Sequence, residues 1–135
     1  MKDLWDVVSR QLRIANREPG SEARRLLDDQ LDRLGIDSGN VAGYETVCTA
    51  HLLVASAIAS GLADAAVTTE PAALAFGLEF IPWQEEISEL HIPRANMKST
   101  EVRALLDVLG GRELPRQLAV LDGYDAQPCG RILTA

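Results

Sequence analysis

The sequence predicts an α/β fold: a three-layer sandwich whose mostly parallel sheet carries helices on both faces, followed by a C-terminal helical tail. Two observations predict it. Short apolar strand-like segments alternate with amphipathic helical ones over much of the chain. The stretch His51–Val67, HLLVASAIASGLADAAV, then shows the repeating unit in one piece: an apolar helix, a glycine stop, an Ala-Asp step and an apolar strand. Leu52, Ala55, Ile58, Ala59 and Leu62 recur at three- and four-residue spacing, which predicts one stripe facing a core. Ala57 and Ser60 on the opposite face are small, so neighbours are expected on both sides of this helix. Gly61 can adopt the left-handed conformation that ends a helix and that side-chain-bearing residues resist.

The remaining elements follow in order. Leu12–Asn16 reads as a short strand and Arg17–Gly20 as a turn. Ser21 is a good N-cap for a helix over Ser21–Leu34, in which Ala23, Leu27, Leu31 and Leu34 share a stripe and Gly35 is the stop. Val41–Cys48 is expected to hold a second strand, with Thr49 as the cap of the apolar helix. Ala65–Thr68 is the third strand, and Thr69-Glu70-Pro71 opens a short helix over Pro71–Phe76, closed by Gly77. Leu78–Pro82 and Glu86–Ile92 alternate as strands do. Ser99 or Thr100 caps a helix over Glu101–Leu109, Gly110-Gly111 breaks it, and Pro115–Leu121 forms the last helix. This organisation is one domain over 1–135, with an α/β core at 11–92 and a helical tail at 93–135.

Composition excludes several function classes. A hydrophobic content of 47% excludes general disorder, and no apolar run reaches the ~18 uncharged residues of a membrane span. The opening residues Met1-Lys2-Asp3-Leu4-Trp5-Asp6 lack the apolar core of a secretory signal, so a cytoplasmic location is expected. A net charge of −7 repels nucleic acid and anionic lipid, and neither is an expected partner. Cys48 and Cys129 are the two cysteines; they form no CxxC pair, and reduced thiols are expected in that compartment. No metal or cofactor is expected. Asp28, Asp29 and Asp32 surround the polar face of an amphipathic helix, as a solvated face does. GxSxG, HExxH, GxGxxG and GxxxxGK[ST] are all missing, so no catalytic residue is assigned and the protein is not expected to be an enzyme.

Asn16-Arg17-Glu18-Pro19-Gly20-Ser21, with Arg24 on the first helical turn, resembles the NR-x-x-GSGTR segment of a periplasmic-binding-protein-like domain of type II. That domain accompanies molybdopterin biosynthesis proteins and certain helix-turn-helix regulators. His51 with Val54-Ala55, then Ala59-Ser60-Gly61-Leu62-Ala63-Asp64, is similar to the family's TH-x-x-VA…ASG-x-AD signature. Ala72-Ala73, Gly77-Leu78, Phe80, Pro82, Glu86, Leu90, Ile92-Pro93 and Gly123-Tyr124-Asp125…Gly130 follow in the family's order. The family's N-terminal segment is lacking, so the resemblance implies one lobe, and one wall of an interlobe cleft. Glu22-Ala23 stand where the family has Gly-Thr, and Glu22 would compete with an anion at that helix start.

The resemblance implies recognition of a small ligand, molybdate, tungstate or a related oxyanion, in the service of molybdenum cofactor biosynthesis or regulation. The alternative is a degenerate module that binds no ligand and completes its core on another chain. The candidate ligand-binding residues are Asn16, Arg17, Ser21, Arg24, Thr49, His51, Thr68 and Thr69. Ser21 and the amides after it can cradle an oxyanion, or Ser21 is simply an N-cap. Arg24 can reach an anion as a bidentate donor, or pair with Asp28 four residues on. Thr49 and His51 can face a cleft from a helix start, and Thr68 and Thr69 sit at a strand end, where contacts belong and caps also occur. Val102, Leu105, Leu106, Leu109, Leu118 and Leu121 in the tail predict an apolar face, and with it a homodimer or association with a missing lobe.

Overall fold

The computed structural model describes residues 3–133. The chain divides after Trp83 into two compact units.

The first unit opens with a helix that the sequence reading did not anticipate, α1 (Leu4–Ser9), whose N-cap Asp3 accepts from the Asp6 amide at 2.8 Å. Leu4 and Val7, one turn apart, are its buried residues. Then come β1 (Ile14–Arg17), α2 (Glu22–Leu34), β2 (Val47–Cys48), α3 (His51–Ala59), β3 (Ala65–Ala66) and α4 (Glu70–Leu74). The three strands are parallel and ordered β2-β1-β3, with Asn16 opposite Val47 and Ile14 opposite Ala65. Each parallel step is bridged by a helix, as parallel pairing demands.

Side-chain alternation along β1 creates the layers. Ile14 joins Leu4, Val7, Leu27, Leu31, Val41 and Ala65 in one cluster, under α1 and α2. Ala15 joins Val54, Ala57 and Ala63 in another, under α3. A sheet three strands wide thus has helices on both faces, the arrangement the sequence predicted.

Within that frame several boundaries differ from expectation. In α2, Leu26 is buried and Leu34 is 43% exposed, so the buried stripe is Ala23, Leu26, Leu27 and Leu31. Gly35 ends the helix at φ 66°. In α3 the buried residues are Val54, Ala55 and Ala57, while Leu52 and Leu62 stand 55% and 71% exposed and Ala59 is exposed too. The sheet face beneath is built from Ala15 and Ala66, so the helix approaches with its small side chains and leaves its leucines outside. Ala50, not Thr49, holds the N-cap position, and no side chain caps the helix.

The expected strand over Val41–Cys48 contracts to Val47–Cys48. Its earlier part is a turn folded tightly onto β1, where Ile14 donates to Ala42 O at 2.7 Å and Asn16 to Thr46 O at 2.8 Å. Gly43 makes this possible: its φ is +79°, and a Cβ there would lie 2.5 Å from Ile14 O. Leu78–Pro82 and Glu86–Ile92 are not strands. Both alternate, but neither forms a strand ladder, and Ile87 and Leu90 stay exposed. An extended segment without a partner gains no ladder hydrogen bonds.

The amino end of the sheet is clamped. Asp64 accepts from Arg13 N (2.8 Å), Nε (3.0 Å) and Nη2 (2.9 Å), and Arg13 Nη2 also donates to Gly61 O at 3.0 Å. The aspartate of the Ala-Ser-Gly-x-Ala-Asp segment therefore fixes where β3 begins against β1.

The second unit, from Gln84, holds a 3-10 turn at Arg94–Asn96, α5 (Thr100–Gly110) and α6 (Glu113–Leu118). Ser99 caps α5 by accepting from the Val102 amide at 3.3 Å. The last helix lies earlier than Pro115–Leu121, with Pro115 inside its first turn, where the missing N–H costs nothing. None of the described residues in this unit is fully buried. No helix among the described residues is long and apolar enough to cross a membrane.

Gly43→Ala tests the turn on β1. Adding a Cβ against the Ile14 backbone, at a left-handed φ, should cost about 3 kcal/mol in urea unfolding. An unchanged midpoint would mean that the turn does not press on β1.

Candidate functional site

The carboxyl ends of the three strands bring chemistry together. In the order β2-β1-β3, the connection after β1 leads to one side and the path from β2 returns across to the other, so a topological switch lies beside β1. Crevices at such points are the usual ligand sites of open parallel sheets. β1 ends in Arg17, β2 in Cys48, and β3 runs on into Val67, Thr68 and Thr69. α3 starts at His51 with its first turn directed to the same end.

Arg17 is the centre. It is 8% exposed, and by alternation it shares a face with Ala15, the face covered by α3. Its guanidinium meets Glu18 edge-on, Nε to Oε2 at 2.8 Å and Nη2 to Oε1 at 2.9 Å. Nη1 is buried and has no hydrogen-bond partner among the described residues. A buried donor left unmet costs about 1–3 kcal/mol, and more on a charged group. The charge is raised in pKa chiefly by the Glu18 hydrogen bond, with Cys48 contributing electrostatically. Glu18 is correspondingly lowered to about 2, first by the Arg17 hydrogen bond and more weakly by His51.

His51 is tied to β3: the Thr68 hydroxyl donates to His51 O at 3.2 Å and lies 3.3 Å from Nδ1. Thr49 is exposed in the bend before α3. Thr69 occupies the N-cap position of α4 without a side-chain cap hydrogen bond and is half-buried.

The other candidates serve the frame. Asn16 is 2% exposed; its Nδ2 donates to Tyr44 O at 3.1 Å and its Oδ1 accepts from the Arg17 amide at 2.9 Å. Ser21 Oγ accepts from the Arg24 amide at 3.3 Å, as an N-cap does. Arg24 donates to Arg17 O at 3.2 Å and lies 4.5 Å over the Tyr44 ring. It is Tyr44, not Arg24, that engages Asp28, donating to Oδ1 at 2.6 Å. Glu22 is held by Arg25, away from any role at Arg17. A hollow of about 300 Å3 beside Gly20, Ser21 and Arg24 is also lined by Glu22 and Asp28, so its charges are mixed. A second, of about 320 Å3, is lined by Asp28, Asp32, Asp37 and Tyr44 and holds none of the candidate residues.

Of the eight candidates, then, Arg17, His51 and Thr68 converge, with Thr49 and Thr69 on the same rim. Sequence reasoning missed Glu18 and Cys48. Glu18 had a signal: a carboxylate beside a strand-end arginine that alternation turns inward. No group of His, Cys, Asp and Glu that could hold a metal occurs among the described residues.

The profile of the PBP superfamily domain matches residues 1–110, and the chain belongs to the periplasmic-binding-protein superfamily. It is 34% identical over 128 residues to the uncharacterized protein YvgK of Bacillus subtilis, a match covering 95% of this chain and 41% of that protein. The chain thus spans well under half of that relative's length. It is 37% identical over 110 residues to an uncharacterized protein in the 5' region of the 2Fe-2S ferredoxin gene of Clostridium pasteurianum, covering 81% of this chain and 97% of that one. No solved structure matches the chain significantly.

The Arg17–Glu18 pair predicts a pH signature. The folded-state pKa of Glu18 lies near 2, below the ordinary 4.5, so the pair's contribution is complete above the ordinary value. It is lost as pH falls from there through about 2. Carboxyl-detected NMR should find the Glu18 midpoint near 2; a midpoint in the ordinary glutamate range would mean the pair is not formed.

Proposed function

We propose that this domain binds a small oxyanion at the carboxyl ends of its strands, as a binding rather than a catalytic domain. Molybdate and tungstate are the ligands that the family resemblance names, with molybdenum cofactor biosynthesis or its regulation as the setting. One observation carries the reading: a guanidinium, 8% exposed, with Nη1 unpartnered, beneath a helix start that no side chain caps. A helix start that no side chain caps and a buried cation together form an environment in which an anion replaces its hydration shell with fixed donors. Thr68 and Thr49 add hydroxyl groups on the rim.

Thermal melts with molybdate, tungstate, sulfate and phosphate test it. A ligand at a hundred times its Kd should stabilise the fold by about 2.7 kcal/mol. Arg17→Gln should lose that gain, even where the variant itself melts lower. A flat response to all four anions would sink the reading.

A second reading, an interaction module, has its own support. Leu52 and Leu53 are 55% and 52% exposed on α3, and the second unit lacks any fully buried described residue. Apolar surface of that kind favours a partner, and a two-fold homodimer is the commonest closed solution. Sedimentation at micromolar concentration should then find twice the chain mass, reduced to one by Leu105→Asp with Leu109→Asp. A single-chain mass, constant on dilution, would exclude the dimer.

A further inference from the structure

Cys48 and Arg17 end neighbouring strands and stand directly opposite each other in the parallel β1–β2 pair. Opposed residues of such a pair share a face of the sheet. For Cys48 that face is the one under α3, where it packs against the cluster of Ala15, Val54, Ala57 and Ala63. The thiol is half-buried, so a small molecule can reach it, whereas the Arg17 side chain is only 9% exposed. The two groups lie within electrostatic reach, Cys48 being the last and smallest of the influences on the Arg17 charge. Glu18 takes Arg17 Nε and Nη2 and leaves Nη1 buried without a partner among the described residues. A thiol sulfur offers that nitrogen only a weak acceptor. Just beyond Cys48, α3 starts at Ala50, an N-cap position with no side-chain cap.

We propose that Cys48 is an oxidation site: hydrogen peroxide converts its thiol to a sulfinate, and Arg17 Nη1 holds the sulfinate oxygens. In the first step the sulfur attacks one peroxide oxygen, and an S–O bond forms as the O–O bond breaks. The departing hydroxide takes the thiol proton and leaves as water; sulfur loses two electrons and the peroxide gains them. A second peroxide repeats the step on the sulfenic acid, giving the sulfinic acid and a second water. The sulfinic proton passes to solvent, which leaves a negative charge and two acceptor oxygens one bond beyond the sulfur. A buried guanidinium nitrogen without a partner and a helix start both favour that anion. Cys129 has a different setting: its Sγ donates to Leu109 O at 3.6 Å, so an oxygen added there would face a carbonyl. Oxidised Cys48 is thus an oxyanion built into the chain, on the donor that an incoming ligand would use. That oxidation closes the site rests on the oxyanion reading; the pairing of the sulfinate with Arg17 does not.

Peroxide treatment of the full chain followed by peptide mass spectrometry is the first test. The tryptic peptide 34–94, which holds Cys48, should gain two oxygens on its cysteine well before the peptide 117–131, which holds Cys129. A double-mutant cycle is the second. Cys48→Asp sets a carboxylate where the sulfinate would be, and Cys48→Asn keeps the shape without the charge. In urea the unfolding constant of Cys48→Asp should be about tenfold below that of Cys48→Asn, the worth of a charged hydrogen bond, and Arg17→Gln should erase the difference. Equal stability of the two variants, a difference that persists in Arg17→Gln, or a Cys48 that peroxide leaves unchanged would each overturn the proposal. Tungstate or phosphate should stabilise the reduced chain and not the peroxide-treated one; an equal response in both would overturn the closure. No response in either, with the tenfold difference intact, would overturn the oxyanion reading and leave the oxidation of Cys48 standing.

Discussion

β1 is the strand on which everything else in the first unit is built. It is the middle of three, so its backbone is paired on both sides, with β2 through Asn16 and Arg17 and with β3 through Ile14 and Ala15. All four of its residues are buried. Two apolar residues in succession serve opposite faces, Ile14 in the core under α1 and α2, Ala15 in the core under α3. The next two are polar and still buried, which is tolerable only where partners are supplied. Asn16 finds Tyr44 O and the Arg17 amide, while the Arg17 carbonyl takes Arg24. A strand that turns from apolar to polar along its length carries the core at one end and the candidate site at the other.

That switch explains why the turn after β1 is organised as it is. Arg24 bonds the Arg17 carbonyl and stacks on Tyr44, Tyr44 bonds Asp28, and Asp28 sits on α2 with Arg24. The chain of contacts ties the first two turns of α2 to the end of β1 and leaves the Arg17 side chain as the group without a complete set of partners. Residues with the motif character expected of ligand contacts, Asn16, Ser21 and Arg24, thus hold the backbone that aims Arg17. Their chemistry is spent on geometry.

The alternation of strands and helices was legible because it rests on local signals: Ser21 and Gly35 bounding α2, Gly61 after α3, Ser99 before α5. Contacts distant in the sequence were not legible. Period-two patterns over Leu78–Pro82 and Glu86–Ile92 look like strands, yet a strand exists only if an edge accepts it, and the edges are set by the topology. Residues 41–46 were hidden for the opposite reason. Their apolar start suggests a strand, but Gly43 bends the chain against Ile14, a contact no window around residue 43 contains. On α3, helical spacing identified an apolar helix but not its inner face, because that helix is apolar nearly all round. The alanines of the sheet decided the face. The candidate site was partly legible: His51 and Thr68 stand out by position and Arg17 through the family-like segment that holds it, whereas the meaning of Glu18 depends on the direction in which β1 turns Arg17.

The two ends of β1 carry the same chemical pair in different surroundings, and the difference separates structure from site. At the amino end, Arg13 and Asp64 have side chains 51% and 36% exposed, and every strong donor of the arginine that faces Asp64 is matched by its carboxylate or by Gly61 O. Water screens such a pair, so its value lies in register, fixing β3 against β1 through backbone as well as side-chain bonds. At the carboxyl end the Arg17 side chain is only 9% exposed while Glu18 is 34% exposed. The cation there cannot relax into solvent, and its single carboxylate engages two of its three nitrogens. Burial makes any missing contact to that charge expensive, and the same burial makes any ligand that supplies one favourable. Both carboxylates take Nε and Nη2 of their arginine; what differs is burial, which at Arg17 leaves Nη1 enclosed without a partner among the described residues.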